Sequence, residues 1–465
     1  MTLLLSAAAP ACSSSSSTPG TTPPASGQVE IYTEWTAGGE AQALSSLISS
    51  FKTANPKDDV LNSTGSDATV AFATMNMRLA NNNPPDAWQA ILGANLISYT
   101  EFVAADAPAS TTPVNKTEDL TDLYASEGWM DKIPPGVLAA MKGGQSTGIY
   151  AVPIDVGRIN DLYYNKAIFT KYNLTPPTTL DELNAIGAAL KGKMDDAGDP
   201  IIPMAMSAGY PTAAHNIAWP ARFVFDAILM AEPSGIKFRQ DYYSGVAKVD
   251  DPAYLKAATD FATFLTTYTN GGNADLSGGS TLPASTTAMR AAGMSADAQN
   301  VQWEDAADMI HSGRAAMFLH GDWVKSYLTS KGDALDVDFG VVQFPPKAFV
   351  YAGDSFVMAK DAPHHDAALA FLKTVGDPAV QSAFNALKGS LPARTDADTS
   401  MFDAFGQESA KDFADPTVTL VPCSWDYAPV DYWNCWGDAM ETIMMNHDPA
   451  AFASACVDKY PLLKQ

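Results

Sequence analysis

Val29-Glu30-Ile31-Tyr32-Thr33-Glu34-Trp35-Thr36-Ala37-Gly38-Gly39-Glu40 is the stretch that decides the fold. Its first seven residues alternate as a strand does, and Gly38-Gly39-Glu40 breaks the alternation. Leu44, Leu47, Ile48 and Phe51 follow at i, i+3, i+4 and i+7, which predicts an amphipathic helix ended by Asn55-Pro56. A second helix is predicted over 69–79, stopping at Asn81-Asn82-Asn83-Pro84-Pro85. Asp86-Ala87-Trp88-Gln89-Ala90-Ile91 then reads as a buried strand. Strand, helix, strand, helix is an α/β pattern and predicts a mainly parallel sheet.

The same grammar continues outward. Strands are predicted at 150–154, 161–164 and 315–319. Thr179-Leu180-Asp181-Glu182 is a capping box, opening a helix with Leu183, Ile186, Gly187 and Leu190 on one face. Helices are expected over 219–230, from Asp251-Pro252 to about 268, and over 303–311. Asp322 reads as the cap of a helix beginning at Trp323. Asp377-Pro378 starts another, with Val380, Phe384 and Leu387 on one face and Gly389 as its stop. Residues 270–296, rich in Gly, Ser and Thr, read as a long loop. No internal repeat is present.

The chain has 465 residues, enough for two or three domain-sized units, and 46% hydrophobic content, ample for large cores. Its net charge of −24 argues against nucleic acid and anionic lipid as partners. Beyond residues 3–11 no apolar run is long enough to span a bilayer.

Cys12 follows that short apolar run and precedes Ser13-Ser14-Ser15-Ser16-Ser17 and a Thr/Pro stretch. Small residues before a cysteine suit a signal peptidase that leaves the thiol to be acylated. Residues 1–12 therefore read as a signal peptide, short at its start, with Cys12 as lipid anchor. Residues 13–27 read as a flexible tether. The expected location is extracytoplasmic, on the periplasmic side or the outer face of a plasma membrane. Cys423, Cys435 and Cys456 remain. One disulfide is expected, with Cys423–Cys435 preferred because it closes a short aromatic loop, and Cys435–Cys456 left open.

No nucleophile elbow, zinc-protease helix or phosphate-binding loop occurs, and no metal or cofactor is expected. What stands out is tryptophan in polar company: Trp35 beside Glu34 and Glu40, Trp88 beside Gln89, Trp303 between Gln302 and Glu304, Trp425 beside Asp426. Sugars are recognised by this pairing, ring face on aromatic and hydroxyls on carboxylate, amide or ammonium.

Five segments, in order, resemble extracellular solute-binding proteins of carbohydrate ABC transporters, in particular the glucose/mannose-type branch. They are Glu34-Trp35-Thr36-Ala37-Gly38-Gly39-Glu40; Asn83-Pro84-Pro85-Asp86-Ala87-Trp88-Gln89; Arg158-Ile159-Asn160-Asp161-Leu162-Tyr163-Tyr164-Asn165-Lys166; Gly321-Asp322-Trp323; and Asp354-Ser355-Phe356 with Lys388-Gly389-Ser390-Leu391-Pro392-Ala393-Arg394.

The resemblance implies a two-lobed periplasmic-binding-protein fold of type II, with a hinge crossed several times. Lobe one would take 28–155 plus 354–395, and lobe two 156–353 plus 396–465. The ligand residues implied are Trp35 (stacking), Glu40, Gln89, Trp303 (a wall from the other lobe), Asp354, Lys388 and Trp425. Asp322 reads instead as a cap and Arg394 as an ion-pair partner. The chain departs from the glucose type at Gly157, Ile91 and Ser424-Trp425, where histidines are common, which points away from glucose itself and toward another monosaccharide or a disaccharide. The implied partner is a membrane permease, and the protein is expected to be a monomer. Two other classes fit the residues: an exported, lipid-anchored carbohydrate enzyme using Glu40 and Asp354 as its carboxylate pair, or a receptor for a non-sugar solute.

Overall fold

A computed structural model describes residues 27–264 and 303–459. Within these it leaves out 65–67, 105–106, 109, 196–197, 206–217 and 245, and between 425 and 447 it describes only Tyr432, Cys435, Trp436 and Ala439. The expectations on Cys12, the tether, the 270–296 loop and Trp425 fall outside the described residues.

The described strands are β1 (Gln28–Tyr32), β2 (Asp59–Asn62), β3 (Ala87–Ile91), β4 (Val152–Pro153), β5 (Asp155–Arg158), β6 (Asp161–Asn165) and β7 (Ile202–Ala205). They continue with β8 (Ala315–His320), β9 (Phe339–Gln343), β10 (Ala348–Ala352), β11 (Asp354–Met358), β12 (Leu391–Pro392) and β13 (Thr419–Pro422). Three sheets result, ordered β2-β1-β3-β11-β4, β12-β5-β10-β13 and β7-β8-β6-β9.

The opening stretch folds as its pattern dictates. β1 is followed by helix Gly38–Ala54, which buries Ala43, Leu44, Leu47 and Phe51 on one face. Gly39 is demanded by packing. A Cβ there would stand 2.5 Å from the Leu387 carbonyl oxygen and 2.7 Å from the Ser326 Cβ. The Thr179 capping box forms, its hydroxyl accepting from the Glu182 N–H.

One expectation changes: the sheets are mixed, not mainly parallel. β2, β1 and β3 run parallel, but β11 inserts antiparallel between β3 and β4. β6 is antiparallel to both β8 and β9. The cause is a chain that leaves the first sheet after β4 and returns to it some two hundred residues later as β11. No local periodicity records such a return.

Two cores flank the middle sheet. The first holds Val29, Leu47, Phe51, Trp88, Phe356, Phe371 and Phe384; the second holds Leu162, Phe225, Phe261, Trp436 and Phe452. A third cluster, with Ile310, Phe318 and Phe339, covers the other face of the β7-β8-β6-β9 sheet. β10 serves two cores: Phe349 and Tyr351 join the first, Ala348 and Val350 the second. Alternate residues of one strand thus face opposite bodies. The architecture is α/β and two-lobed, with this sheet as the crossing.

The disulfide expectation needs correcting. The bridge is Cys435–Cys456, with Cα atoms 5.6 Å apart, inside the normal reach of a disulfide. Cys423 follows β13, its N–H bonded to the Tyr351 carbonyl at 2.7 Å and its side chain buried in the second core. Sheet pairing holds it there, so the shortest loop in sequence is not the one that closes.

Asp322 does precede helix Trp323–Ser330, but its side chain makes no cap bond. It accepts instead from the Arg158 N–H at 2.8 Å and the Ser390 hydroxyl at 3.0 Å, tying β5 to the segment after helix Pro378–Lys388. Arg394 is the expected ion-pair partner, bonded to Asp396 at 2.8 Å.

Candidate ligand-binding site

β1 and β3 run parallel, the end of β1 beside the start of β3, Ile31 opposite Ala87 and Tyr32 opposite Trp88, so that the residues after β1 lie alongside β3. Ends of parallel strands are where open α/β sheets leave a crevice. β11 enters from the other direction and sets Asp354 opposite Ile91. Gln89, two residues before Ile91, shares its face. The Gln89 amide nitrogen donates to Asp354 Oδ1 at 2.9 Å and Glu34 Oε1 at 3.3 Å, and its oxygen accepts the Glu34 N–H at 3.1 Å.

Lys388 arrives as the last residue of helix Pro378–Lys388, where Asp377 caps the start and Gly389, at φ 105°, stops the end. The sequence predicted Val380, Phe384 and Leu387 as its inner face. Phe384 is inside, but Leu387 is 37% exposed, and Gln381, Asn385 and Lys388 are buried. Two amides decide this. Gln381 donates to the Pro153 carbonyl at 2.8 Å, and Asn385 to the Ile154 carbonyl at 3.0 Å, satisfying backbone between β4 and β5. That rotation brings Lys388, 3% exposed, onto Asp155 at 2.5 Å and into contact with Asp354. Its ammonium lies 5.0 Å from the Trp35 ring centroid.

Burial alone would lower Lys388; Asp155 and Asp354 outweigh it and hold the ammonium well above its ordinary range. Burial raises Asp155 despite Lys388. Glu34 is pushed up to about 8, chiefly by burial and then by repulsion from Asp354. Glu40, in the first helical turn, is raised well above its ordinary range, again mainly by burial, with Lys388 pulling the other way. Glu304 repels both glutamates, so the start of helix Trp303–His311 faces this cluster.

Trp35, 2% exposed, packs on Phe356 at 5.8 Å and Phe384 at 5.1 Å. Its indole N–H and the Glu34 Oε2 are buried without a hydrogen-bond partner among the described residues. Natural proteins rarely leave such atoms unmet without a reason. Beside Glu34 and Gln89 is a small opening, walled by Ala71, Phe72 and Met75.

Five of the expected residues therefore converge: Trp35, Glu40, Gln89, Asp354 and Lys388. Trp303 does not offer a free ring face. It is 6% exposed, packed against His320 at 6.0 Å and Tyr327 at 5.2 Å. Trp88 is a core residue, edge-on to Tyr99 at 5.5 Å. Sequence reasoning missed Glu34 and Asp155 as members of the cluster. Glu34 sits next to a singled-out tryptophan, a usable signal. Asp155 carries none, since only the return of β11 brings the Asp354 N–H to it at 2.9 Å.

The chain is similar to several known proteins. Residues 46–414 match the family model of bacterial extracellular solute-binding proteins. An uncharacterized ABC transporter extracellular-binding protein of Pyrococcus horikoshii is 28% identical over 428 residues, covering 90% of this chain and 84% of that one. A probable sugar-binding periplasmic protein of Rhizobium meliloti is 28% identical over 83% of this chain and 81% of its own. The xylose/arabinose-binding protein XacG of Haloferax volcanii is 26% identical, over 83% and 74%. Among solved structures, a chitin oligosaccharide binding protein superposes with a TM-score of 0.70 at 16% identity, covering 92% of this chain and 96% of that one. The chain belongs to the bacterial extracellular solute-binding protein family.

Proposed function

We propose that this protein is an extracytoplasmic receptor that closes its two lobes on a mono- or disaccharide and delivers it to an ABC-transporter permease. The observation that carries the reading is the pair of unmet buried groups at the strand ends, the Trp35 indole N–H and Glu34 Oε2, set among Gln89, Asp354 and Lys388. A sugar hydroxyl is both donor and acceptor and satisfies each. The names of relatives that bind sugars support the class.

In this reading Trp35, Glu40, Gln89, Asp354 and Lys388 contact ligand from lobe one, at 28–155 plus 354–395. Trp303 and Trp425 contribute from lobe two, at 156–353 plus 396–465. Trp303 would have to turn from His320 or offer only its edge. No bond is broken: the ligand touches both lobes only in the closed form and so shifts the equilibrium toward it. Cys12 would hold the receptor at the membrane by a lipid, with 13–27 as tether and the protein working as a monomer.

The test is calorimetric titration of the purified chain with monosaccharides and disaccharides. Saturable binding of a neutral or charged sugar, with no product from it, is expected. Binding only of amino acids or peptides overturns the reading. Release of product from a chromogenic glycoside favours the carbohydrate enzyme instead.

A further inference from the structure

Resting on the carbohydrate reading, the charge arrangement narrows the ligand. Glu34 and Glu40 belong to the strand-end cluster, and the cation that acts on both is Lys388. That ammonium is already divided between Asp155 and Asp354, two carboxylates for one charge. Neither glutamate is given a described ion-pair partner of its own. Repulsion from Asp354 and from Glu304 falls on both. Glu304 belongs to the helix that carries Trp303, far along the chain from β1, so carboxylates arrive at this place from both sides of the crossing.

Bringing like charges together in a poorly solvated crevice is costly. A neutral sugar leaves that cost in place, met only by protons on the glutamates. A ligand carrying one positive charge removes it. We infer that the preferred ligand is an amino sugar with an unacylated, protonated amine, whose ammonium lies against Glu34 and Glu40 while its hydroxyls meet Gln89 and the Trp35 N–H.

Three further observations agree. Glu34 Oε2 is out of solvent and accepts nothing, as an ammonium site before loading would be. The Trp35 indole, 2% exposed, is an unmet donor, which a bare cation would not satisfy and a hydroxyl would. The opening beside Glu34 has polar groups on one side (Thr33, Glu34, Gln89) and Ala71, Phe72 and Met75 on the other, the kind of amphipathic lining a sugar ring meets. Burial first, and then repulsion from neighbouring carboxylates, raises both glutamates, and an ammonium beside them would relieve the second of these.

The experiment is titration of the full chain, at one pH and ionic strength, with matched pairs differing only by amine: D-glucose and D-glucosamine, D-galactose and D-galactosamine, D-mannose and D-mannosamine, cellobiose and the chitosan disaccharide. N-acetyl-D-glucosamine and spermidine complete the set. In at least one pair the amine form should bind about tenfold or more tightly, N-acetylation should abolish the gain, and Glu34→Gln should shrink it about tenfold. Neutral sugars binding as well as or better than their amines in every pair overturns the inference and leaves the carbohydrate function standing. Spermidine binding with no sugar bound overturns the function itself, and silence from every sugar overturns both. A Glu34→Gln variant that keeps the full amine preference overturns the placement of the ammonium.

Discussion

Two buried ion clusters sit about the crossing, and they are finished differently. Around Arg158 each nitrogen of the guanidinium donates a hydrogen bond. It donates to Asp412 at 2.6 Å, to the Ala348 carbonyl at 2.9 Å and to Asn160 at 3.4 Å, and it lies 4.6 Å from the Phe349 ring centroid. Its neighbour Asp322 ties the Arg158 N–H to Ser390. Asp161 is the exception there. Its carboxylate makes no hydrogen bond among the described residues, stands 3.8 Å from Arg158 and is raised well above its ordinary range by burial, with Arg158 pulling the other way. Around Lys388 the ammonium is satisfied, but the groups beside it, Glu34 and Trp35, are not. A cluster that meets its own needs fastens strands. One that leaves donors and acceptors unmet at the ends of strands is built to be completed by something else.

Breaking the fastener should have the largest effect. Arg158→Met removes the guanidinium from a site that is 1% exposed, leaves Asp412 without this partner, and takes one donor each from Asn160 and the Ala348 carbonyl, which keep the Val350 N–H and the Asn160 amide. Such truncations of a buried pair cost about 3–5 kcal/mol. Urea unfolding followed by tryptophan fluorescence measures it, and a loss under about 1 kcal/mol would mean that the cluster holds nothing. Arg158→Lys should not restore the stability, because one ammonium cannot replace three directed donors.

The Lys388 cluster should respond in binding more than in folding. Trp35→Phe keeps a ring against Phe356 and Phe384 and deletes an N–H that no described group accepts. Stability should change by less than about 1.5 kcal/mol, while affinity for the bound sugar falls about tenfold, near 1.4 kcal/mol. Calorimetry and thermal melts on the same sample separate the two. Equal loss in both would make Trp35 a core residue like Trp88 and erase the difference between the clusters.

How much of this was legible in the sequence depends on the range of the interaction. The β1–helix unit, the Thr179 box, helix Trp303–His311 and the Asp377 and Gly389 ends were readable, because caps and periodicity act within a few residues. The inner face of helix Pro378–Lys388 was misread because apolar periodicity does not count backbone. Gln381 and Asn385 turn inward to serve the carbonyls of Pro153 and Ile154, more than two hundred residues away. The mixed sheets and the Cys435–Cys456 bridge were hidden for the same reason. Gly157 shows the reverse case. A Cβ there would meet Asp322 at 3.3 Å and Trp323 at 3.4 Å, so a side chain in place of Gly157 would press on both. The glycine was visible in the sequence; the closeness of its neighbours was not.

The finest comparison is of two raised carboxylates, Glu34 in the open cluster and Asp161 in the closed one. Glu34 titrates near 8 in the folded chain, against an ordinary value of 4.5. Between those pH values the folded protein keeps a proton that the unfolded chain has released, so stability falls as pH rises across the window. Asp161, raised in the same direction, contributes with the same sign. Glu40 and Asp155 do too, so no single substitution removes the slope. Melting temperature against pH should therefore flatten modestly in both Glu34→Gln and Asp161→Asn. Saturating ligand is what distinguishes them. A ligand that supplies the missing partner of Glu34 lowers its folded value toward 4.5 and removes most of the difference between wild type and Glu34→Gln. Asp161 has no such access, and Asp161→Asn should flatten the curve equally with and without ligand. If ligand leaves the Glu34 contribution untouched, the group does not meet the ligand, and its raised value is of the same buried, structural kind as that of Asp161.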